Sequence, residues 1–151
     1  MQINAMLSAL FAAAASGAAV KSRDAVLYDI SGFTAFCVPH SVQCGYGFRV
    51  IPSTAAPGSN GTICGNLING PDILPPLPLT ACFDAAFAYS IAIADGGLTV
   101  TVTSALDPST NITGSHTATA DQFYIYNGGT TMSQTYDGPT NFTIVTTEVS
   151  V

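Results

Sequence analysis

The segment Leu98-Thr99-Val100-Thr101-Val102-Thr103 decides the fold class of this chain. Its aliphatic residues alternate with threonines without exception, so one face turns inward and the other meets solvent. The turn before it, Asp95-Gly96-Gly97, consists of residues that tolerate positive φ. Ahead of that turn, one parity carries an apolar series, namely Phe83, Phe87, Tyr89, Ile91 and Ile93. The pattern predicts a β-hairpin with a turn of two or three residues.

Period-two patterns continue on both sides of this hairpin. They predict further strands at residues 25–36, 45–51, 61–64, 116–126, 131–136 and 142–149. The alanines of residues 84–88 favour a helix, but the aromatic alternation that continues to Ile93 favours a strand there. Seven or eight strands with short connections predict an all-β fold, an antiparallel β-barrel or sandwich.

Composition limits the function classes open to this chain. Its 151 residues suffice for one domain, and only 8% of them are charged, against about 25% in typical soluble domains. With 48% hydrophobic residues, the chain is neither a disordered tail nor a coiled coil. Three Lys and Arg residues against nine acidic ones give a net charge of −6, which argues against nucleic-acid binding.

The N-terminal segment has the pattern of a secretory signal. Residues 6–15 are apolar apart from Ser8, and small residues follow at 16–19. Such a run is too short to span a bilayer, and a buried amphipathic helix, the alternative, would show a polar face. We expect a signal peptide at residues 1–19, with a basic processing site at Lys21-Ser22-Arg23 extending it to residue 23. Residues 24–151 then form a single secreted domain without a membrane span.

An even set of four cysteines suits the oxidising compartment that secretion implies. Three pairings are possible, and local spacing favours Cys37 with Cys44 and Cys64 with Cys82. Loop entropy assigns these two rings about 2.5 and about 3 kcal/mol of stabilisation.

Three sequons also agree with secretion, and they predict N-glycosylation at Asn60, Asn111 and Asn141. In a chain with so few charges, glycans and hydroxyl groups would keep the surface soluble.

A series of features along the chain resembles the family of the Alternaria major allergen and related secreted fungal elicitor and effector proteins. The series consists of Tyr28-Asp29-Ile30-Ser31-Gly32-Phe33, Tyr46-Gly47-Phe48-Arg49-Val50, Cys64, Cys82-Phe83-Asp84, Phe87-Ala88-Tyr89-Ser90 and Gly97-Leu98-Thr99-Val100. The resemblance covers residues 25–150, with the last third matching loosely. It implies a secreted β-barrel without a catalytic centre that acts on plant cell death or defence, and it implies binding to host proteins such as thaumatin-like proteins.

The chain departs from this family in its cysteines. The unpaired N-terminal cysteine that links the family's dimer and the cysteine pair near the C-terminus have no counterparts, whereas Cys37 and Cys44 are added. A covalent dimer is therefore not expected.

No cofactor, metal or catalytic site is predicted. Cys37, His40 and Cys44 have spacings that suit zinc, but a disulfide is favoured because secretion oxidises thiols and no fourth ligand is near. His40 beside Ser41 lacks a nucleophile elbow, and His116 is the only other histidine. Nothing in the spacing pairs two carboxylates for glycoside hydrolysis within the pool of Asp29, Asp84, Asp95, Asp107, Asp121 and Asp137.

Two apolar groups are candidates for contact with a partner. Prolines make residues 71–79 a stiff loop, excluded from a sheet interior, and low-entropy apolar segments lose little on docking. The partner surface is therefore predicted at Ile73, Leu74, Leu77 and Leu79. Tyr124, Tyr126 and Tyr136 suit either the core or an aromatic rim that stacks on sugars, and the core is favoured.

These patterns favour a non-enzymatic secreted effector or elicitor that binds a host defence protein or cell-wall component. The alternative is a barrel that carries a small apolar ligand, and an extracellular hydrolase is a third class. A filled interior favours the first hypothesis over the second. The inward positions that decide this are Phe48, Phe87, Tyr89, Val100 and Phe142.

Overall fold

Ten β-strands and one short 3-10 helix make up the part of the chain that the computed structural model describes, residues 24–70 and 72–151. The strands are β1 Leu27–Cys37, β2 Gln43–Pro52, β3 Thr62–Asn69, β4 Leu77–Ala81, β5 Phe87–Ala94, β6 Gly97–Asp107, β7 Thr110–Ala118, β8 Phe123–Asn127, β9 Met132–Tyr136 and β10 Phe142–Ser150. The all-β class is therefore confirmed. The expected signal peptide, residues 1–19 with its extension to 23, lies outside the described residues.

Eight strands form a nearly closed antiparallel barrel in the order β3-β2-β1-β10-β7-β6-β5-β4. Strand β10 joins its two halves, since residues 142–145 pair with β1 and residues 146–150 pair with β7. Strands β3 and β4 end the order, and the gap between them is called the seam here. The β8–β9 hairpin attaches to β1 through the pair Phe36–Thr135.

The hairpin predicted around the turn Asp95-Gly96-Gly97 is present as β5 and β6. Ala94 pairs with Gly97, and the two residues between them, Asp95 and Gly96, have φ angles of 51° and 74°. Two positive φ angles in succession are typical of a type I′ turn, which matches the twist of the flanking strands. The aliphatic residues of β6 are buried, and its threonines hydrogen-bond to Thr117 and Ser115 on β7.

The prediction that the strand extends back to Phe83 is wrong. Strand β5 begins at Phe87, and residues 83–86 form a bend and turn in which Asp84 Oδ1 accepts the Ala86 N–H at 3.0 Å. The Asp84 carbonyl oxygen also accepts the Phe87 N–H at 3.0 Å. Aspartate side chains satisfy a nearby backbone donor in this way, and this local bonding overrides the alternation.

The strand predicted over residues 116–126 is interrupted. Strand β7 ends at Ala118, a 3-10 helix spans Ala120–Gln122, and β8 begins at Phe123. Thr119 and Gln122 form a capping box at this helix, in which Gln122 Oε1 accepts the Thr119 N–H at 3.0 Å. That box ends the run of period-two residues.

Strand β3 extends beyond its predicted end, and strand β4 begins within the segment predicted to be a stiff loop. Strand β3 continues to Asn69 through Gly65 and Asn66, two residue types that favour turns. Strand β4 lies in the proline-rich segment but at the end of the strand order, where a proline costs no interior hydrogen bond. The proline segment is thus outside the sheet interior, as the sequence predicts.

Aromatic side chains fill the barrel. The Phe33 ring centroid lies 5.8 Å from that of Phe48, 5.0 Å from Tyr136 and 5.6 Å from Phe142. Phe48 in turn lies 5.1 Å from Tyr89 in an edge-to-face contact. The deciding inward positions Phe48, Tyr89 and Val100 are buried, and Phe87 and Phe142 pack against them. Side chains thus occupy the space that an interior ligand would need.

Candidate functional site

A disulfide bond fixes the seam of the barrel. It joins Cys64 on β3 to Cys82, the residue directly after β4, with the two Cα atoms 4.2 Å apart. The second bond joins Cys37 to Cys44 across the turn between β1 and β2. Both pairings are those that local spacing favours. The Cys64–Cys82 bond links the two strands that end the sheet, so it closes the barrel where hydrogen bonds between strands stop.

Phe83 projects from this bond into solvent, and its side chain is 94% exposed. Its backbone is nevertheless held, because the Phe83 N–H donates to the Ile63 carbonyl oxygen at 2.8 Å. The next residue, Asp84, donates its N–H to Thr62 Oγ1 at 3.0 Å. A large apolar side chain is thus presented on a rigid turn.

A surface cleft of about 480 Å³ lies beside Phe83. It is lined by Arg49, Pro52, Ala55, Ser59, Gly61, Thr62, Ile63, Phe83, Asp84 and Phe87. Arg49 is the only Lys or Arg among the described residues, since Lys21 and Arg23 precede residue 24. Its Nη1 donates to the Asn60 carbonyl oxygen at 2.9 Å, which fixes the guanidinium at the cleft.

Comparison with known proteins identifies the fold. No family model matches the chain, and no curated protein matches it. Two crystal structures of the Alternaria alternata major allergen Alt a 1 are similar to it, with TM-scores of 0.52 and 0.54 at 16% and 15% identity. The first match covers 82% of this chain and 94% of the allergen, the second 89% and 97%. The chain has the fold of the Alternaria major allergen. The resemblance seen in the sequence is confirmed at the level of the fold.

The prediction of a partner surface on the proline loop is wrong for two of its four residues. Leu74 and Leu77 are only 4% and 5% exposed, so neither side chain is available to a partner. The loop closes onto the Alt a 1-like barrel because the Leu74 N–H donates to Oε1 of the buried Gln134 at 3.0 Å. Ile73 and Leu79 are exposed, and Leu79 lies on β4 at the seam.

The three tyrosines near the C-terminus divide into two groups. Tyr136 belongs to the core, and its hydroxyl donates to the Pro139 carbonyl oxygen at 2.9 Å. Tyr124 and Tyr126 are exposed, so the core interpretation is wrong for them. They lie on β8, which among the described strands pairs only with β9 and stands outside the eight-stranded path of the Alt a 1-like barrel.

The histidines occupy structural positions. His40 Nδ1 lies 2.9 Å from Thr131 Oγ1, which links the β1–β2 turn to β9. The His116 ring stacks on Phe142 with the centroids 3.8 Å apart, and burial lowers the pKa of His116. Cys37 and Cys44 share a disulfide, so the zinc interpretation of the Cys37–Cys44 segment is wrong. Within residues 24–70 and 72–151, no three potential metal-ligating side chains gather at one place.

The asparagines predicted to be glycosylated differ in their solvent exposure on the Alt a 1-like barrel. Asn60 is exposed beside the cleft, and Asn141 is exposed before β10, where its Oδ1 accepts the Gly32 N–H at 3.1 Å. Asn111 is half-buried in β7. Glycosylation at these three asparagines stays a prediction. In the described part of the chain, no helix is long and apolar enough to cross a bilayer.

Proposed function

We propose that this chain is a secreted, non-enzymatic effector or elicitor that binds a host extracellular protein. The contact is made by the seam surface, defined as Arg49, Ile63, Leu79 and Phe83. The observation that carries the proposal is the exposed Phe83 on its disulfide-held turn. Leu79 is retained from the surface predicted on the proline loop.

The seam surface combines the properties of a binding hot spot. Aromatic and arginine side chains dominate the binding energy of protein interfaces, and they do so when they are held in place before binding. The Cys64–Cys82 bond and the Phe83–Ile63 hydrogen bond supply that order in the free protein. Little backbone conformational entropy is then lost on docking.

Charge favours a basic partner. The described residues contain all nine Asp and Glu residues and a single Arg, so the field around the domain is strongly negative. Such a field speeds association with a positively charged protein and repels an acidic one. We propose a basic host defence protein, of the thaumatin-like kind that the sequence resemblance implies.

Extracellular location is part of the same proposal. Two disulfide bonds persist best outside the cytosol, and the fold of a fungal allergen is compatible with secretion. We infer that the mature protein acts at the host interface, where binding triggers plant defence or cell death.

Affinity capture from plant extracellular fluid tests the seam surface. The oxidised chain is compared with Phe83→Ser and with a matched control, Val145→Thr, which changes an exposed apolar residue on β10. We expect Phe83→Ser to lose the captured proteins while Val145→Thr retains them. The same proteins on all three columns, with the variants folded, would refute the role of the seam surface.

A further inference from the structure

A shallow trough crosses the outer face of β1, β2 and β3. Cross-strand pairing places Thr34, Gly47 and Gly65 in one row, so two glycines form the floor. The next row holds Phe36, Gly45 and Leu67, and the row on the other side holds Ser31, Arg49 and Ile63. Two adjoining concavities of about 480 and about 380 Å³ share Thr34 and Gly47.

The glycines keep this trough open. A Cβ at Gly47 would meet only Thr34 Oγ1 at 3.2 Å, and a Cβ at Gly65 would meet only backbone atoms. Phe36 and Leu67 lean toward each other over Gly45 and form an apolar wall. An occupant can therefore approach the sheet backbone directly beside an aromatic ring.

On the side of Phe36, the apolar wall is followed by the β8–β9 hairpin, which carries a second aromatic side chain. Phe36 pairs with Thr135, and Thr135 pairs with Tyr124, so all three side chains lie on the same face of the sheet. Two strand spacings separate Phe36 from Tyr124, which is about 10 Å. The Tyr124 side chain is 60% exposed. This spacing is close to the disaccharide repeat of a β-1,4-linked glycan, and aromatic faces stack on the apolar C–H faces of sugar rings.

The charges in and around the trough favour a neutral ligand. The residues lining the two concavities include no carboxylate, although the described chain carries nine, so a cation finds no partner there. A polyanion is repelled by the negative field of the whole domain. Arg49 at one end supplies N–H donors for sugar hydroxyl groups, and the Thr34 hydroxyl, which donates to the Gly47 carbonyl oxygen at 3.1 Å, supplies an acceptor.

We propose that the trough binds a neutral β-1,4-linked glycan, with Phe36 and Tyr124 stacking on alternate sugar units. The trough shares Arg49 and Ile63 with the seam surface but does not include Phe83 or Leu79. Substitution of Phe83 therefore separates the glycan site from the protein-binding role proposed above. Cellulose and chitin share this backbone, and they differ in the substituent at C2.

Calorimetric titration of the full oxidised chain tests the proposal. Cellohexaose and chitohexaose are the two β-1,4-linked probes, and laminarihexaose, which is β-1,3-linked, is the linkage control. We expect binding of one or both β-1,4-linked probes and at least about tenfold weaker binding of laminarihexaose. Tyr124→Ala should weaken binding about tenfold, and Gly47→Val, which fills the trough, should abolish it.

The matched control is Phe83→Ser, which leaves the trough unchanged and should bind the glycan like the wild type. Thermal unfolding shows that each variant is folded; if Gly47→Val is not, Tyr124→Ala alone decides. No binding of either β-1,4-linked probe, or binding by folded Tyr124→Ala or folded Gly47→Val equal to that of the wild type, would overturn the proposal. Light scattering measures the oligomeric state of the wild type and of Gly47→Val. A wild-type dimer that Gly47→Val abolishes would show that the trough is an interface between copies of this chain, and the glycan proposal would be wrong.

Discussion

Phe83 donates its backbone N–H to the Ile63 carbonyl oxygen across 2.8 Å, so the second residue after β4 is bonded to the edge of β3. This contact and the neighbouring Cys64–Cys82 bond replace the strand pairing that is missing at the seam. The same two links fix the backbone that carries the exposed phenyl ring. Closure of the barrel and presentation of Phe83 therefore depend on the same few residues.

Removing the seam disulfide should impair both stability and binding. Replacing Cys64 and Cys82 by alanine opens a ring with a sequence separation of 18, and the loop-entropy model puts the loss at about 3 kcal/mol. Denaturant unfolding measures this loss, and affinity capture measures the binding. Replacing Cys37 and Cys44, with a separation of 7, should cost about 2.5 kcal/mol and spare the captured proteins. Equal loss of capture in both pairs would contradict the special role of the seam.

Two buried tyrosines should respond in opposite ways to loss of the hydroxyl. Tyr89 is 0% exposed, and its hydroxyl has no hydrogen-bond partner among the described residues. Burial raises the pKa of Tyr89 to about 12. Tyr89→Phe should therefore raise the free energy of unfolding by about 1–2 kcal/mol, because an uncompensated buried hydroxyl is removed.

The matched variant is Tyr46→Phe. The Tyr46 hydroxyl donates to the Pro75 carbonyl oxygen at 2.7 Å, and burial raises the pKa of Tyr46 as well. Its loss should lower the free energy of unfolding by about 1 kcal/mol. Urea unfolding measures both variants, and a destabilised Tyr89→Phe would show that its hydroxyl has a partner after all.

Acidification should destabilise the fold through His116. Burial against Phe142 lowers the pKa of His116 below its ordinary value of 6.5, so the folded state favours the neutral ring. The unfolded chain then binds the proton more readily, and stability falls as the pH drops below about 6.5. His116→Gln removes this group. Its unfolding free energy should change less than that of the wild type between about pH 7.5 and about pH 5 in urea titrations, and an unchanged slope would refute the assignment.

Gly114 should not tolerate a side chain. It lies on β7 where β10 approaches, and a Cβ there would overlap the Ile144 side chain and the Val145 carbonyl oxygen. Gly114→Ala should lower the free energy of unfolding by about 1–3 kcal/mol, as overpacking does. Gly47→Ala, which meets only the Thr34 hydroxyl, is the control and should cost clearly less in thermal unfolding. Equal losses of unfolding free energy for the two variants would show that β10 does not pack closely against Gly114.

The sequence predicts the features that depend on neighbouring residues. The alternation of β6, the Asp95-Gly96 turn and the two disulfide pairings all rest on short-range patterns, and the structure contains them. Whether a given side chain is buried or exposed depends instead on which distant segment packs over its strand. Leu74 is buried because Gln134, sixty residues away, accepts its N–H, and Tyr124 is exposed because no other described segment covers β8.

Phe83, unlike Leu79, is not predicted as part of a partner surface, for the same reason. Phe83 shares the parity of the buried residues Tyr89 and Ile91, so alternation places it inside the barrel. The available signal was the Asp84 that follows, because aspartate commonly starts a turn and thereby ends the alternation. The trough could not be predicted either, since Gly47 and Gly65 come together only through the β2–β3 register.

Hydrogen–deuterium exchange tests most directly whether the seam surface binds the host partner. The oxidised chain is measured alone and with the protein fraction that it captures from plant extracellular fluid. We predict added protection at residues 61–67 and at the amides of residues 82–84, with residues 142–150 unchanged as an internal reference. Protection confined to the rest of the barrel, or no protection while the fraction stays bound, would contradict the account.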